Sequence, residues 1–158
     1  MDIRLYISGK VQSSKLFLKE VLKKEGIKNY VVKLNKYGKP YIKDINFNLS
    51  HNNQYIVCVV SKEPIGIDIE IVTDKLQRIR DSLLNKEELK KYKTDKQLTK
   101  VWTIKEAIVK LIGMGINKKM NLIAINDEKY FYKSFFINNN YLTIASFQSI
   151  NKVIKYYL

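Results

Sequence analysis

Cysteine and histidine are scarce in this chain, which has one of each among 158 residues. The lone cysteine, Cys58, lies in the apolar run YIVCVV. We therefore expect a reduced, buried strand residue, and neither a disulfide framework nor a thiolate zinc site. Long apolar runs are missing too. No stretch of about 18 apolar residues occurs, which argues against a transmembrane helix, and MDIRLYISGK lacks the apolar run of a signal peptide, so we expect a cytoplasmic protein.

Acidic residues are also few. The chain has 29 Lys and Arg against 15 Asp and Glu, a net charge of +14. Such a charge favours polyanionic partners, namely nucleic acid, phosphorylated cofactors or acidic proteins. Because Lys, Asn and Ile are all abundant here, part of the excess of basic residues reflects the overall composition. Net charge alone therefore excludes few functions. Apolar and charged contents of 46% and 28% are those of an ordinary globular protein.

The hydrophobic patterning mixes strand and helix periods and predicts an α+β protein. A helix is expected from Ser13 or Ser14 to about Glu25, and the Glu63-Pro64 turn suggests that the strands on either side of it form a hairpin-like pair. Further helices are predicted at 74–84, 86–92 and 96–112, and strands at 2–8, 30–34, 45–49, 55–61, 65–72, 121–125, 130–137, 141–147 and 152–157.

The two ends of the chain echo each other. The segment 2–5 (DIRL) resembles 68–71 (DIEI), and 55–59 (YIVCV) resembles 141–145 (YLTIA). These matches indicate one domain, residues 1–158, built of two similar fused halves, about 1–64 and 65–158. Matches this short also arise by chance.

The segment GIDIE (66–70) alternates isoleucines with Gly66, Asp68 and Glu70. Period-2 alternation predicts a strand with one face in the core, which puts both carboxylates on the other face, roughly 6.5–7 Å apart. Two acids at this spacing can share a hard cation such as Mg²⁺. The alternative is a solvated edge strand whose charges discourage aggregation.

WTIKEAIVK (102–110) continues a predicted helix with two distinct sides. One side is apolar, and the other carries Thr99, Thr103, Glu106 and Lys110. This polar stripe could be solvated, with Glu106 and Lys110 as a common i,i+4 pair. Because Trp102 and Val109 flank the stripe, and because Gly113 and Gly115 end the helix early, we favour a stripe that lines a cleft.

Three further features each have an ordinary structural explanation. His51, in FNLSH (47–51), is more often a structural hydrogen-bonder than a catalyst, although Ser50 and His51 at a strand end suit phosphate oxygens. The GKP turn, with Lys39 and Pro40, is an ordinary turn by itself. Glu88 follows Asn85 by three residues, as in a capping box worth about 1 kcal/mol.

Taken in order, four motifs resemble those of the Sfp type of 4′-phosphopantetheinyl transferase, in a short variant. They are YGKPYI (37–42), FNLSH (47–51), GIDIE (66–70) and WTIKEAIVK (102–110), and the strand-rich tail also resembles the C-terminus of that family. Each motif alone is weak, but the four in this order are specific.

The resemblance implies an α+β fold of two similar halves related by pseudo-twofold symmetry, with the site between them. It implies transfer of phosphopantetheine from coenzyme A to a serine of an apo carrier protein, with Mg²⁺, or Mn²⁺ in its place, as cofactor. By position, Asp68, Glu70 and Glu106 match the acids that bind the metal ion. Ser50, His51 and Lys110 match residues that hold phosphates, Lys105 is a further phosphate candidate, and Lys39 and Pro40 match the region beside the adenine.

The resemblance also suggests roles and partners. Glu106 is the first candidate for the base that takes the serine proton, with Lys110 as its cationic neighbour. Glu88 matches the acid of an intermediate motif, although LLNKEE departs from the usual wording. A fused pair forms its cleft within one chain, so we expect a monomer whose basic surface attracts acidic carrier proteins, with neither nucleic acid nor membrane as partner. The region before Tyr37 is short for the family, and only Lys10 and Lys15 offer themselves as contacts to the 3′-phosphate.

Two other functions compete with this one. A Mg²⁺-dependent nuclease would use acidic residues on a strand, a further Glu and a Lys, but it leaves FNLSH and the GKP turn unexplained. A non-catalytic nucleic-acid binder would exploit the +14 charge. No nucleic-acid-binding motif is visible in the sequence, and such a binder would have no need of Asp68 or Glu70.

Overall fold

A computed structural model of the chain describes residues 1–9, 12–113 and 119–158. The helices are α1 (Ser14–Lys24), α2 (Arg80–Leu83), α3 (Lys86–Lys91) and α4 (Asp95–Ile112). The strands are β1 (Asp2–Ser8), β2 (Lys33–Leu34), β3 (Pro40–Tyr41), β4 (Asn46–His51), β5 (Ile56–Ser61), β6 (Ile65–Ile71), β7 (Phe131–Ile137), β8 (Asn140–Ser146) and β9 (Lys152–Tyr157). The predicted α+β class is confirmed. Over the described ranges, no helix is both long and apolar enough to cross a membrane.

The strands form two main sheets and one small hairpin. The first sheet has the order β4-β5-β1-β9, the second β6-β8-β7, and β2 pairs with β3. Pairing is antiparallel except between β1 and β9, which run parallel. The predicted hairpin-like pair around Glu63-Pro64 is therefore wrong, because β5 and β6 belong to different sheets. At this turn the chain passes from one sheet to the other.

Apolar side chains form three clusters that join these elements in layers. Alternate residues of β1, β5, β6 and β8, among them Leu5, Val59 and Ile67, form one cluster between the two sheets. The opposite face of the first sheet is covered by α1, through Phe17 and its neighbours. The opposite face of the second sheet is covered by α4 and by the segment that precedes it. Strands with both faces buried explain the continuous apolar runs in the sequence.

The two sheets follow the same path. In each, a first strand (β1 or β6) is followed by helix and later by two antiparallel strands, the second of which pairs with the first strand; in the first half the hairpin of β2 and β3 intervenes. The division into two fused halves at about residue 64 stays a prediction. The last strand, β9, returns to the first sheet. The matched segments 55–59 and 141–145 turn corresponding residues to different faces of their sheets. Val57 faces the other sheet, whereas its counterpart Thr143 contacts Thr103 of α4.

Two predicted strands differ from the structure. Residues 121–125 form no strand; a short 3₁₀ turn, Met120–Leu122, is followed by a bend, and Met120, Ile123 and Ile125 join the cluster under α4. Their apolar spacing reflects this packing rather than sheet pairing. Of 30–34, only Lys33 and Leu34 are paired. Gly113 ends α4 with a φ of 75°, as expected of a C-terminal glycine, and Gly115 lies outside the described residues.

Candidate functional site

Gly66 brings α4 directly onto β6. A Cβ atom built on Gly66 would overlap the backbone carbonyl oxygen of Ala107, so only glycine permits this approach. The polar face of β6 is consequently covered by α4, and Asp68 is 3% exposed. The solvated-edge alternative is wrong for this strand, and the polar stripe of α4 is likewise buried at Thr99, Thr103 and Glu106.

The free edge of β6 is closed by side chains of β4 rather than by a strand ladder. The Ile67 amide donates to Asn48 Oδ1 over 2.8 Å, and the Ile69 amide donates to Ser50 Oγ over 3.3 Å. Because buried amides need acceptors, these two bonds fix β6 against β4. Asp68, which lies between these two residues, is therefore at the seam between the two sheets.

Lys110, Ser50 and Asp68 meet at this seam. Lys110 Nζ donates to Asp68 Oδ1 over 2.7 Å and to Ser50 Oγ over 2.9 Å. Ser50 Oγ donates to Asp68 Oδ1 over 3.0 Å. The structure thus brings together a cation, a hydroxyl and a carboxylate from α4, β4 and β6, as the sequence predicted for these three residues.

Two buried carboxylate oxygens at this cluster, Asp68 Oδ2 and Glu106 Oε1, have no hydrogen-bond partner among the residues that the structure describes. The third acid, Glu70, lines the same cleft as Trp102. Burial, with repulsion from Asp68, raises the pKa of both Glu70 and Glu106 to about 7, although Lys110 opposes the shift. Such raised values mark carboxylates that lack a compensating positive charge.

The chemistry of these acids fits a divalent cation only in part. Unpaired carboxylate oxygens are the ligands that Mg²⁺ prefers, and Mg²⁺ commonly takes one or two of them and completes its shell with water and phosphate. Asp68 and Glu106 can supply such a pair. Within the described residues, however, no group of three or more His, Cys, Asp or Glu side chains is arranged to hold a metal ion.

A cleft and a groove meet at these residues. The cleft, about 380 Å³, is lined by both polar and apolar side chains: Leu49, Ser50, His51, Asp68, Glu70, Trp102, Glu106 and Lys110. The groove, about 320 Å³, shares Leu49, Glu106 and Lys110 with the cleft and continues along Tyr37, Gly38, Lys39, Pro40, Asn48, Val109 and Gly113. His51 is exposed in the cleft. Because they share three lining residues, the cleft and the groove adjoin at Glu106 and Lys110, and together we call them the channel.

The hairpin of β2 and β3 is docked on the C-terminus of α4. Lys39 Nζ donates to the Lys110 carbonyl, and Asn35 Nδ2 donates to the Gly113 carbonyl over 3.0 Å. Both bonds satisfy orphan carbonyls of the helix end. Burial lowers the pKa of Lys39. This residue therefore holds Lys110 in place while also lining the groove beside Pro40.

Lys105 lies elsewhere, and its predicted contact with phosphate is wrong for this structure. Its side chain is fully buried, and its ammonium donates to Glu88 Oε2 over 2.6 Å and to the carbonyls of Leu83 and Met120. Glu88 also completes a capping box with Asn85, as its spacing predicted, and accepts from the Ile125 amide. All three donors of Lys105 are used internally, so none is left for a ligand.

Of the two lysines considered for a 3′-phosphate, only Lys15 belongs to the described residues. Lys15 is exposed in the first turn of α1 and lines neither the cleft nor the groove. Lys10 lies outside the described residues. Sequence reasoning missed Asn48, although it alternates with Ser50 in FNLSH and so shares its face of the strand.

Comparison with known proteins gives a consistent result. A family profile described as the 4′-phosphopantetheinyl transferase superfamily matches residues 64–152. The 4′-phosphopantetheinyl transferase gsp of Aneurinibacillus migulanus is 35% identical over 105 residues, which cover 62% of this chain and 44% of that protein. The 4′-phosphopantetheinyl transferase Sfp of Bacillus subtilis strain 168 is 31% identical over 98 residues, 56% of this chain and 44% of its own. The chain thus matches less than half of the length of these relatives.

Proposed function

The chain belongs to the 4′-phosphopantetheinyl transferase superfamily, and from this premise we propose that it transfers phosphopantetheine from coenzyme A to a serine of an apo carrier protein. The observation that carries the proposal is the pairing of Asp68 with Lys110 at the seam of the two sheets, in a cleft that Glu106 also lines. In the described part of the chain, one buried oxygen of Asp68 and one of Glu106 have no hydrogen-bond partner. Two relatives named as such transferases are 35% and 31% identical to this chain over 105 and 98 residues, which supports the proposal.

In the proposed reaction the serine oxygen of the carrier attacks the phosphorus that bears the pantetheine arm. A new phosphorus–oxygen bond forms, the pyrophosphate bond breaks, and adenosine 3′,5′-bisphosphate leaves with the bonding electron pair. The serine proton needs an acceptor, and Glu106, with its unpaired Oε1 at the cleft, is our candidate base. Lys110 supplies positive charge beside the phosphates as negative charge develops on the leaving group.

We propose Mg²⁺, or Mn²⁺ in its place, as cofactor, held by Asp68 and Glu106 with Glu70 as the adjacent acid. A bound divalent ion would neutralise pyrophosphate oxygens and lower the barrier to their displacement. Ser50 keeps Asp68 in position through its hydroxyl. His51 and Ser50 lie at the cleft on the side of β4, where phosphate oxygens would be held. Lys39 and Pro40 would border the adenine in the groove.

Partners and organisation follow from the same arrangement. Residues on both sides of the seam line one channel, so a monomer divided into halves at about residue 64 suffices for the reaction. A net charge of +14 would accelerate association with acidic carrier proteins, with a strong dependence on salt. We place the enzyme in the cytoplasm with coenzyme A. Neither the family nor the relatives lend support to the nuclease alternative.

Intact-mass measurement of several apo carrier proteins, incubated with coenzyme A, Mg²⁺ and this protein, tests the reaction and the partner together. We expect at least one carrier to gain the mass of one phosphopantetheine group. A folded protein that binds coenzyme A and modifies none of the fatty-acid, polyketide or peptide carriers would contradict the proposal.

A further inference from the structure

We infer that Asn48 is a further specificity-determining residue, whose carboxamide both fixes the seam and donates a hydrogen bond to the nucleotide part of coenzyme A. The inference rests on the proposed function, because it assumes that the groove holds this donor. It concerns a residue that lies outside the catalytic cluster and carries no charge.

The orientation of the Asn48 carboxamide follows from its partner. The Ile67 amide can only donate, so the atom it contacts over 2.8 Å has to be the Asn48 carbonyl oxygen, Oδ1. The amino group, Nδ2, therefore points away from the Ile67 amide. Among the described residues it has no hydrogen-bond partner, and it is not one of the sealed polar atoms of the interior.

The surroundings of Asn48 indicate which kind of ligand this donor would contact. The residue is 6% exposed, and it lines the groove together with Tyr37, Pro40 and Val109. These apolar neighbours suit the face of a flat ring rather than a phosphate. The groove is also lined by Lys39, Glu106 and Lys110. A fixed neutral donor such as Asn48 Nδ2, beside apolar side chains, is the kind of group with which a pocket orients its ligand. We assign Nδ2 to an acceptor atom of the purine.

The test replaces the amino group of Asn48 and keeps an acceptor for the Ile67 amide. Asn48→Asp keeps an oxygen that accepts from the Ile67 amide but replaces the amino group by an acceptor, and Asn48→Ser removes the amino group while its uncharged hydroxyl can still accept. Asn46→Asp is the matched control, because Asn46 lies two residues earlier on β4, donates to the Lys62 carbonyl and does not line the groove. Thermal unfolding of each variant verifies that it folds.

Dissociation constants for adenosine 3′,5′-bisphosphate and for inorganic pyrophosphate are then compared by calorimetry and competition. We expect both Asn48 variants to bind the nucleotide about tenfold or more weakly than wild type, with pyrophosphate weakened no more than in Asn46→Asp. Unchanged nucleotide binding in a folded Asn48 variant, or equal losses for both ligands, overturns the inference. Wild-type protein that binds the nucleotide but transfers nothing overturns the proposed function alone; absence of nucleotide binding overturns both.

Discussion

The ammonium of Lys110 lies 2.7 Å from Asp68 Oδ1, which joins the last turns of α4 to the middle of β6 across 42 residues of sequence. Both side chains also contact Ser50. Since Asp68 is nearly buried and Lys110 is 28% exposed at its side chain, the pair combines a structural tie with a charge that remains accessible to a ligand.

Lys110→Met removes that charge and leaves Asp68 with the hydroxyl of Ser50 as its neutral partner. We expect transfer to fall at least about tenfold, because a cation beside developing negative charge is lost, and stability to fall by about 1–2 kcal/mol. Steady-state kinetics and urea unfolding measure the two effects. The matched control is Lys100→Met, an exposed lysine of the same helix. Equal activity of the two variants would contradict the role of Lys110.

Gly66→Ala tests the contact between β6 and α4. The added methyl group would overlap the Ala107 backbone, which cannot move independently of the helix, so we expect a loss of about 3 kcal/mol and of most activity. Gly9→Ala is the control, because among the described atoms a Cβ there would meet only Tyr55 Cε1, at 4.0 Å. Urea midpoints of the two variants give the comparison. A Gly66→Ala protein as stable as Gly9→Ala would show that the close approach is not required.

Glu88→Gln tests the buried ion pair with Lys105. Removing one charge leaves the Lys105 ammonium buried without its counterion, and we expect a loss of about 3 kcal/mol. The neighbouring Glu87, whose salt bridge with Lys90 is largely exposed, serves as control; Glu87→Gln is expected to cost no more than about 0.5 kcal/mol. Denaturant unfolding measures both. Similar costs for the two changes would mean that Lys105 is accommodated without Glu88.

The acids at the cleft predict how stability depends on pH when no divalent ion is added. Glu70 and Glu106 have pKa values near 7 in the folded protein, against 4.5 ordinarily. Between these values the folded state binds more protons than the unfolded chain, so stability falls as pH rises through this window. Glu106→Gln removes one of the two groups. We expect its Tm to decline less from pH 5 to pH 7 than that of wild type; an equal or steeper decline would contradict the shift assigned to Glu106.

Much of the fold could be predicted from local patterns. Alternation located β1 and β6, the serines at 13 and 14 located the start of α1, and Gly113 located the end of α4. The polar stripe of α4 predicted that Glu106 and Lys110 line one cleft, because a spacing of four places two residues on the same face of a helix. Both residues line the cleft in the structure. These features depend on residues that lie close together in the sequence, and the spacing of such residues is what hydrophobic periodicity reports.

Long-range partners could not be predicted in this way. Lys105 is adjacent to Glu106 in the sequence, yet its side chain is fully buried and pairs with Glu88. This counterion lies 17 residues earlier, so local spacing does not reveal it. Nothing local distinguishes Lys105 from a lysine that binds phosphate. Likewise, the Glu63-Pro64 turn indicates a reversal but not which sheet the next strand joins. The covered face of β6 follows from Gly66, whose role depends on contact with a helix some 40 residues later.

The most direct measurement is the intact mass of one apo carrier protein after incubation with coenzyme A, Mg²⁺ and either wild-type protein or Asp68→Asn. Asp68 provides both the partner of Lys110 and one of the two unpaired oxygens. The account predicts that wild-type protein adds one phosphopantetheine group and that Asp68→Asn, shown to be folded by thermal unfolding, adds none in the same time. Equal modification by both proteins would show that the chemistry does not depend on the cluster at the seam.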